Sequence, residues 1–363
     1  MKKFILFKIS IILLFSSIFS ESNTSKIGLV LSGGGVKGLA HLGTLKLIDS
    51  LNIPIDYVVG TSIGSIAGGL YASGYSAEEI EYVCYNSNWD EIFNQNRKRN
   101  NLYYFQKKDR DNFQLSFVLN KFKPIPPVAL SNGQYSFEYL AELFGAYDNV
   151  SNFDNMKIPF RCNATDIITG EEIVFKNGSV SKAIRSSTSI PTVFAPVKYN
   201  NSLVVDGGVV NNIPTNLALD MGADFTIGVN LSNNNTNEIS DVFDILSKTI
   251  GLYGRNNSIQ NSKDIDILIN PDLPNVNVIN FENSLMKNIH KKGIKAAYLN
   301  IDKFIKLKSS IKDVDSYIKL AAINDTFKIK SAFANNKNNE IFKAFNDTLI
   351  NKKSFIKEIQ DIR

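Results

Sequence analysis

Residues Gly60-Thr61-Ser62-Ile63-Gly64 follow the apolar run Tyr57-Val58-Val59 and precede Ala67, Leu70 and Tyr71. A strand that enters a Gly-x-Ser-x-Gly turn and leaves as a helix has the layout of a nucleophile elbow. Such a turn is sharp, so Gly60 and Gly64 suit its flanks, and it pushes the serine hydroxyl out where a substrate carbonyl can reach it. Ser62 is therefore the first candidate for covalent chemistry. The plainer reading is a strand-to-helix turn with an incidental serine.

The segment Gly33-Gly34-Gly35-Val36-Lys37-Gly38 follows the short apolar strand Ile27-Gly28-Leu29-Val30-Leu31 and opens a helix expected from about Leu39 to Leu51. Its glycines at 33, 35 and 38 match the dinucleotide-binding fingerprint in form. That use needs an acidic residue at the end of the second strand. Asp56 stands at the beginning of that strand, and the far end is the Ser62 elbow. The other use is an oxyanion hole. Glycine amides at a helix start point one way, and the helix dipole adds positive potential for the oxygen of a tetrahedral acyl intermediate. One such donor is typically worth about 10²–10³ in rate. Lys37 adds positive charge beside the loop.

A serine nucleophile needs a proton acceptor. The chain has two histidines. His41 follows the glycine loop on its helix, where packing or a surface role is the simpler reading. His290 lies among lysines, a poor place for a buried base. Asp206 is the better candidate, because it ends the strand Leu203-Val204-Val205 just before Gly207 and Gly208 and can face the ends of neighbouring strands. A carboxylate is a weak base toward a hydroxyl. The pair works only if the proton moves as the Ser62–carbonyl bond forms, which calls for a close hydrogen bond in a water-poor pocket. Taken alone, Asp206-Gly207-Gly208 also reads as an ordinary strand-end turn.

The elements that must position these groups alternate strand and helix over residues 27–90, which argues for a parallel sheet covered on both faces. Residues 88–135 are less regular and read as an excursion or lid. Order returns with a helix near Phe137–Phe144, a strand at Ile158–Ala164, a hairpin turn at Thr169-Gly170 and a helix starting near Ser179. Strands follow at Leu203–Val205 and Phe225–Asn230, then an Asn-rich linker at Ser232–Glu238 and a last core strand at Asp266–Ile269.

Bulk properties narrow the class. The 363 residues are 44% apolar and 21% charged, the composition of a foldable globular chain. A net charge of +5 with dispersed basic residues does not point to nucleic acid. Lys2 and Lys3 precede a nearly apolar run from Phe4 to Phe19, and Glu21–Lys26 is polar. This reads as a secretory signal peptide over residues 1–20, cut after Ser20, with an uncleaved anchor as the alternative. Cleavage would remove Lys2, Lys3 and Lys8 and leave a net charge of about +2. Cys84 and Cys162 are too few for a disulfide framework and read as free thiols.

Together these residues resemble the patatin-like phospholipase family. Three signatures occur in family order: Gly33–Gly38, Gly60–Gly64 and Asp206-Gly207-Gly208. Further family-like segments are Gly38-Leu39-Ala40-His41-Leu42-Gly43, Ala164-Thr165-Asp166, Arg185-Ser186-Ser187-Thr188-Ser189-Ile190-Pro191 and Asn211-Asn212-Ile213-Pro214. The resemblance implies a Ser62–Asp206 dyad and an oxyanion hole from Gly33, Gly34, Gly35, Lys37 and Gly38. It also implies a three-layer α/β/α sandwich with a mainly parallel central sheet, and acyl-ester hydrolysis, often of phospholipids, without metal or cofactor. On this basis residues 27–230 form the catalytic domain, with its core motifs at 33–208. Residues 231–312 complete it, with a helical C-terminal extension, and 313–363 are a Lys/Asn-rich extension, which from about residue 320, as at Phe327-Lys328-Ile329-Lys330, resembles the start of a small periplasmic module.

Between 286 and 312, lysines are dense, and Ile294, Ala297, Ile301, Phe304 and Ile305 fall on one helical face. This is either a docked helix with a solvated basic face or a peripheral contact with anionic membrane. The sequence thus points to an exported serine acyl hydrolase of lipid esters, placed in the periplasm, the cell envelope or the medium. The competing class is a catalytically silent envelope or lipid-binding protein.

Overall fold

A computed structural model describes residues 25–94, 118–120, 123–125, 129–148, 150–232, 249, 252–311, 326–328 and 349–351. The expected signal segment, most of the 88–135 excursion, nearly all of the Asn-rich linker and most of the C-terminal extension lie outside the described residues. The chain divides into two units, Met1–Ser310 and Ile311–Arg363. In the second, a strand at Thr326–Lys328 pairs antiparallel with one at Leu349–Asn351.

The first unit is built on an eight-stranded sheet. Its strands are β1 (Ile27–Leu31), β2 (Tyr57–Gly60), β5 (Phe160–Asp166), β6 (Glu172–Phe175), β7 (Val197–Tyr199), β8 (Ser202–Asp206), β9 (Phe225–Val229) and β10 (Ile267–Ile269). A separate hairpin supplies β3 (Val118–Asn120) and β4 (Lys123–Ile125). The order across the sheet is β10-β9-β1-β2-β5-β8-β7, with β6 on β5. From β10 to β5 all neighbours are parallel. Beyond β5 the pairings turn antiparallel. A mostly parallel sheet thus carries an antiparallel flank.

Every residue of β1 is buried, as expected of a parallel strand covered on both faces. Alternate side chains serve opposite layers. Val30 and Val59 pack with Ile213, Leu217 and Ala218 on one face, where helix α7 (Thr215–Asp220) lies. Leu31 and Val58 lie against Gly68 of helix α2 (Ile63–Ala72) on the other. The three-layer α/β/α sandwich follows.

Among the described residues, the remaining helices of this unit are α1 (His41–Leu51), α3 (Ala77–Asn86), α4 (Trp89–Asn94), α5 (Gln134–Phe144), α6 (Val180–Ser187), α8 (Arg255–Lys263), α9 (Asn283–Tyr298) and α10 (Ile301–Ser310). Local signals account for several boundaries. Ser179 caps α6 by accepting from the Lys182 amide. Ser76 and Glu79 form a reciprocal capping box at the start of α3.

Three expectations need correction. The helix expected from Leu39 begins as a 3₁₀ turn, Gly35–Ala40, and becomes α-helical only at His41. The basic C-terminal helix is two helices, broken at Leu299-Asn300, so the expected single apolar face does not run through. Phe304 is buried but Ile305 is half exposed. His290 is not on a lysine-rich surface. It is buried, with Nδ1 3.2 Å from the Tyr85 hydroxyl and 3.4 Å from a Glu81 oxygen.

Helix α9 closes against α1 at backbone distance. A Cβ on Gly43 would lie 2.4 Å from Gly293, and one on Gly293 would lie 2.4 Å from Ala40 Cα. Only glycine at both positions permits this approach, which binds the C-terminal helix to the helix behind the glycine loop.

Candidate active site

Strand β2 delivers Ser62 in a conformation few serines adopt, with φ 54° and ψ −126°. A positive φ outside glycine is local strain, and strain of this kind concentrates at functional turns. The surroundings enforce it. A Cβ at Gly64 would sit 2.2 Å from the Leu31 carbonyl oxygen, and one at Gly60 would sit 2.3 Å from that of Gly64. The Thr61 amide donates to the Leu31 carbonyl at 3.0 Å, and the Ser62 amide donates to Ser187 Oγ at 2.9 Å. Ser62 also stands at the N-terminus of α2, where the helix dipole favours developing negative charge.

The Ser62 hydroxyl donates to Asp206 Oδ2 at 2.5 Å. Asp206 ends β8 and is fixed on all sides. Its amide donates to the Ser189 carbonyl at 2.9 Å. Its carbonyl accepts from Thr165 Oγ1 at 3.0 Å. Its Oδ1 accepts from the Gly208 amide at 2.8 Å. Both side chains are buried, Ser62 at 6% exposure and Asp206 at 7%. Burial pushes the Asp206 carboxyl up to about 6, against the lowering effect of the Ser62 and Gly208 hydrogen bonds.

The glycine loop lies against this pair. A Cβ on Gly33 would come within 3.0 Å of Ser62 Cβ. The loop's residues divide by what each amide and α-carbon meets. The Gly33 amide donates to the Asn212 carbonyl at 3.2 Å, Val36 to Val278 at 2.7 Å and Lys37 to Gly34 at 3.2 Å. The amides of Gly34 and Gly35 meet no backbone acceptor among the described residues. Gly38 leaves room for Ile63, whose Cγ1 would be 2.3 Å from an added Cβ. Lys37 is half-buried in the 3₁₀ turn.

His41 is fully buried beside the loop, not beside the hydroxyl. Its Nε2 donates to the Ser32 carbonyl at 3.0 Å, and burial lowers its pKa to about 4. It is a neutral spacer under the loop. The thiols Cys84 and Cys162 are unpaired, and burial pushes Cys84 up to about 12.

Several residues at the site carry no obvious chemistry in the sequence. Ser187 Oγ accepts from the Ser62 amide, and Thr165 holds the Asp206 carbonyl. Asn212 Oδ1 approaches the α-carbons of both Gly33 and Gly208. Their signal was membership in the three segments at 164–166, 185–191 and 211–214, which lie far apart in sequence.

The family model for patatin-like phospholipase matches residues 29–219, more than half of the chain. The chain belongs to the patatin-like phospholipase family. A lysophospholipase NTE1 of Mycosarcoma maydis is 34% identical over 197 residues, 54% of this chain and 9% of that protein. The neuropathy target esterase sws of Drosophila melanogaster is 28% identical over 264 residues, 72% of this chain and 16% of the fly protein. An uncharacterized NTE-family protein of Mycobacterium tuberculosis is 31% identical over 191 residues, 53% of this chain and 28% of its own length. The chain thus matches less than a third of each of these patatin-like relatives. Among solved structures, VipD from Legionella pneumophila aligns over 78% of this chain and 69% of its own, with 13% identity and a TM-score of 0.43.

Proposed function

We propose that the protein is a serine acyl hydrolase of lipid esters, with Ser62 as nucleophile and Asp206 as its base. The observation that carries this reading is the 2.5 Å hydrogen bond between the Ser62 hydroxyl, on a strained elbow, and a buried carboxylate. Family membership and the named lysophospholipase and esterase relatives support the substrate class. In this mechanism Ser62 Oγ attacks the acyl carbonyl while its proton passes to Asp206 Oδ2. The carbonyl oxygen becomes an oxyanion, which the Gly34 and Gly35 amides receive at the start of the 3₁₀ turn. Collapse expels the alcohol, which takes the proton back from Asp206, and leaves an acyl ester on Ser62. Water then attacks that ester, Asp206 takes its proton, and the fatty acid leaves as Ser62 regains its hydrogen.

The test combines a fluorophosphonate probe with a panel of defined phospholipids and lysophospholipids. The wild type should be labelled once and hydrolyse members of the panel, and a folded Ser62→Ala variant should do neither. Substantial hydrolysis by that variant would remove the covalent mechanism, and a folded, inert wild type would favour the lipid-binding alternative. Two further parts of the reading rest on sequence pattern and surface. Export predicts a mature N-terminus near Glu21 in secreted material, and the basic α9 surface predicts peripheral contact with anionic membrane.

A further inference from the structure

Behind the elbow lies a chain of side-chain hydrogen bonds that the proposed mechanism does not use. Thr61, which precedes the nucleophile, donates its hydroxyl to Asn163 Oδ1 at 2.8 Å. Asn163 Nδ2 donates to Glu172 Oε1 at 2.7 Å and to the Asn211 carbonyl at 2.9 Å. Asn211 Nδ2 donates to the same Glu172 oxygen at 2.9 Å and to Asn216 Oδ1 at 2.9 Å. Every hydrogen and the oxygen of the Asn163 amide is thereby used, so its orientation is fixed.

Asn163 stands where the two catalytic loops meet. On β5 it lies between Cys162, paired with Gly60 of the elbow strand, and Ala164, paired with Asp206. Its side chain also presses on the residue after the base, because a Cβ on Gly207 would fall 2.4 Å from Asn163 Oδ1. One buried amide therefore touches the residue before Ser62 and the residue after Asp206. Nothing in ester hydrolysis requires a carboxylate at this depth, yet Glu172 gathers amides from both Asn163 and Asn211. The carboxylate that faces it is Asp220, and burial raises the Glu172 carboxyl.

We propose that Asn163, held by Glu172, is a positioning residue that sets the Ser62–Asp206 separation by joining the nucleophile elbow to the loop after the base. This rests on the reading of Ser62 and Asp206 as the dyad. A displacement of the order of 1 Å in a reacting pair costs about 10²-fold in rate, so loosening the clamp acts on turnover and not on lipid binding. It also acts on the base itself. The Ser62 hydrogen bond lowers the Asp206 carboxyl, and weakening that bond lets the carboxyl rise.

The experiment compares wild type, Thr61→Val, Asn163→Ala, Glu172→Gln, Glu172→Ala and Ser62→Ala on a short-chain soluble ester, with rates normalised to folded protein by circular dichroism. Asn163→Ala and Glu172→Ala should lower kcat by about 10–100-fold with KM nearly unchanged, and the acid limb of the rate profile should move to higher pH. Thr61→Val keeps shape and volume and should shift the limb the same way by less. Glu172→Gln keeps an acceptor for both asparagines and should recover most of the kcat lost in Glu172→Ala. A purely structural clamp would reduce the folded fraction and leave the acid limb in place. Folded Asn163→Ala and Thr61→Val enzymes with wild-type kcat and an unmoved acid limb, beside an inert Ser62→Ala, would overturn the clamp alone. Activity surviving in Ser62→Ala would overturn the dyad reading and the clamp with it.

Discussion

Asp206 faces two demands that oppose each other. Removed from water, its carboxyl is pushed up to about 6 from an ordinary value of 3.8, yet in the proposed mechanism it must be ionised to take the Ser62 proton. Hydrolysis should therefore fall on the acid side with an apparent pKa near 6, read from a kcat/KM profile. The same shift sets the sign of the stability effect. Between about pH 4 and 6 the unfolded chain has released a proton that the native chain still holds, so this group's contribution declines as pH rises through that window. Above it, the folded protein carries the full cost of a buried carboxylate. Asp206→Asn removes the charge but keeps the shape. It should lower kcat by about 10²–10⁴-fold and raise Tm at pH 8, with the gap closing toward pH 4. An Asp206→Asn variant with a wild-type rate would dismiss the base. His41→Gln gives the contrast, because Gln still offers a donor to the Ser32 carbonyl. Per folded molecule its activity should stay within about fivefold of wild type, and a loss as deep as that of Asp206→Asn would return His41 to the mechanism. Ser62, Asp206 and the loop glycines could be singled out from sequence because turn chemistry ties a residue type to a backbone shape. Asn163 and Glu172 could not, because a buried amide and a carboxylate acquire meaning only from partners remote in sequence.

At the scale of elements, the legible parts were those with local punctuation. The alternation β1-α1-β2-α2, the cap at Ser179 and the hairpin turn at Gly170, where φ is +75°, all leave marks within a few residues. The antiparallel flank did not. Strand β7 is three residues long and returns through Asn200-Asn201 to β8, too short to show a period. The break between α9 and α10 was hidden for a related reason, since Leu299 and Asn300 interrupt no hydrophobic repeat strongly enough to stop one. Two glycines test which contacts serve fold and which serve site. Gly64→Ala drives a methyl into the Leu31 carbonyl beneath Ser62, and Gly43→Ala drives one into Gly293 across the α1–α9 contact. Both should destabilise by about 1–3 kcal/mol or more, measured by denaturant unfolding. Gly43→Ala should keep its fluorophosphonate labelling rate per folded molecule, while Gly64→Ala should lose it. Equal labelling loss in the two would mean that the C-terminal helix and the elbow move as one body.

At the scale of the whole unit, the question that the proposed function raises is how the buried Ser62–Asp206 pair would meet a lipid drawn from a bilayer. Along α9, Lys287, Lys291 and Lys295 recur at helical spacing and are exposed. The stripe runs on to Tyr298 and Leu299, exposed at 54% and 77%, and Ile305 on α10 is exposed at 50%. Cations beside uncovered apolar side chains are suited to anionic head groups above an acyl boundary. If the surface works this way, an inactive Ser62→Ala protein should bind vesicles more tightly as anionic lipid increases and less tightly as salt rises. Each lysine near the surface adds about 1 kcal/mol. Replacing Lys287, Lys291 and Lys295 with Gln should thus weaken binding by about two orders of magnitude. Replacing Tyr298 and Leu299 with Ser should weaken binding to neutral and anionic vesicles alike, because it removes burial and leaves charge intact. In the active background, both sets should spare hydrolysis of a short soluble ester, since the exposed lysines lie away from the buried Gly293 that packs on Ala40. Vesicle binding that survives both replacements would make this an ordinary solvated face and move the lipid entrance elsewhere on the protein.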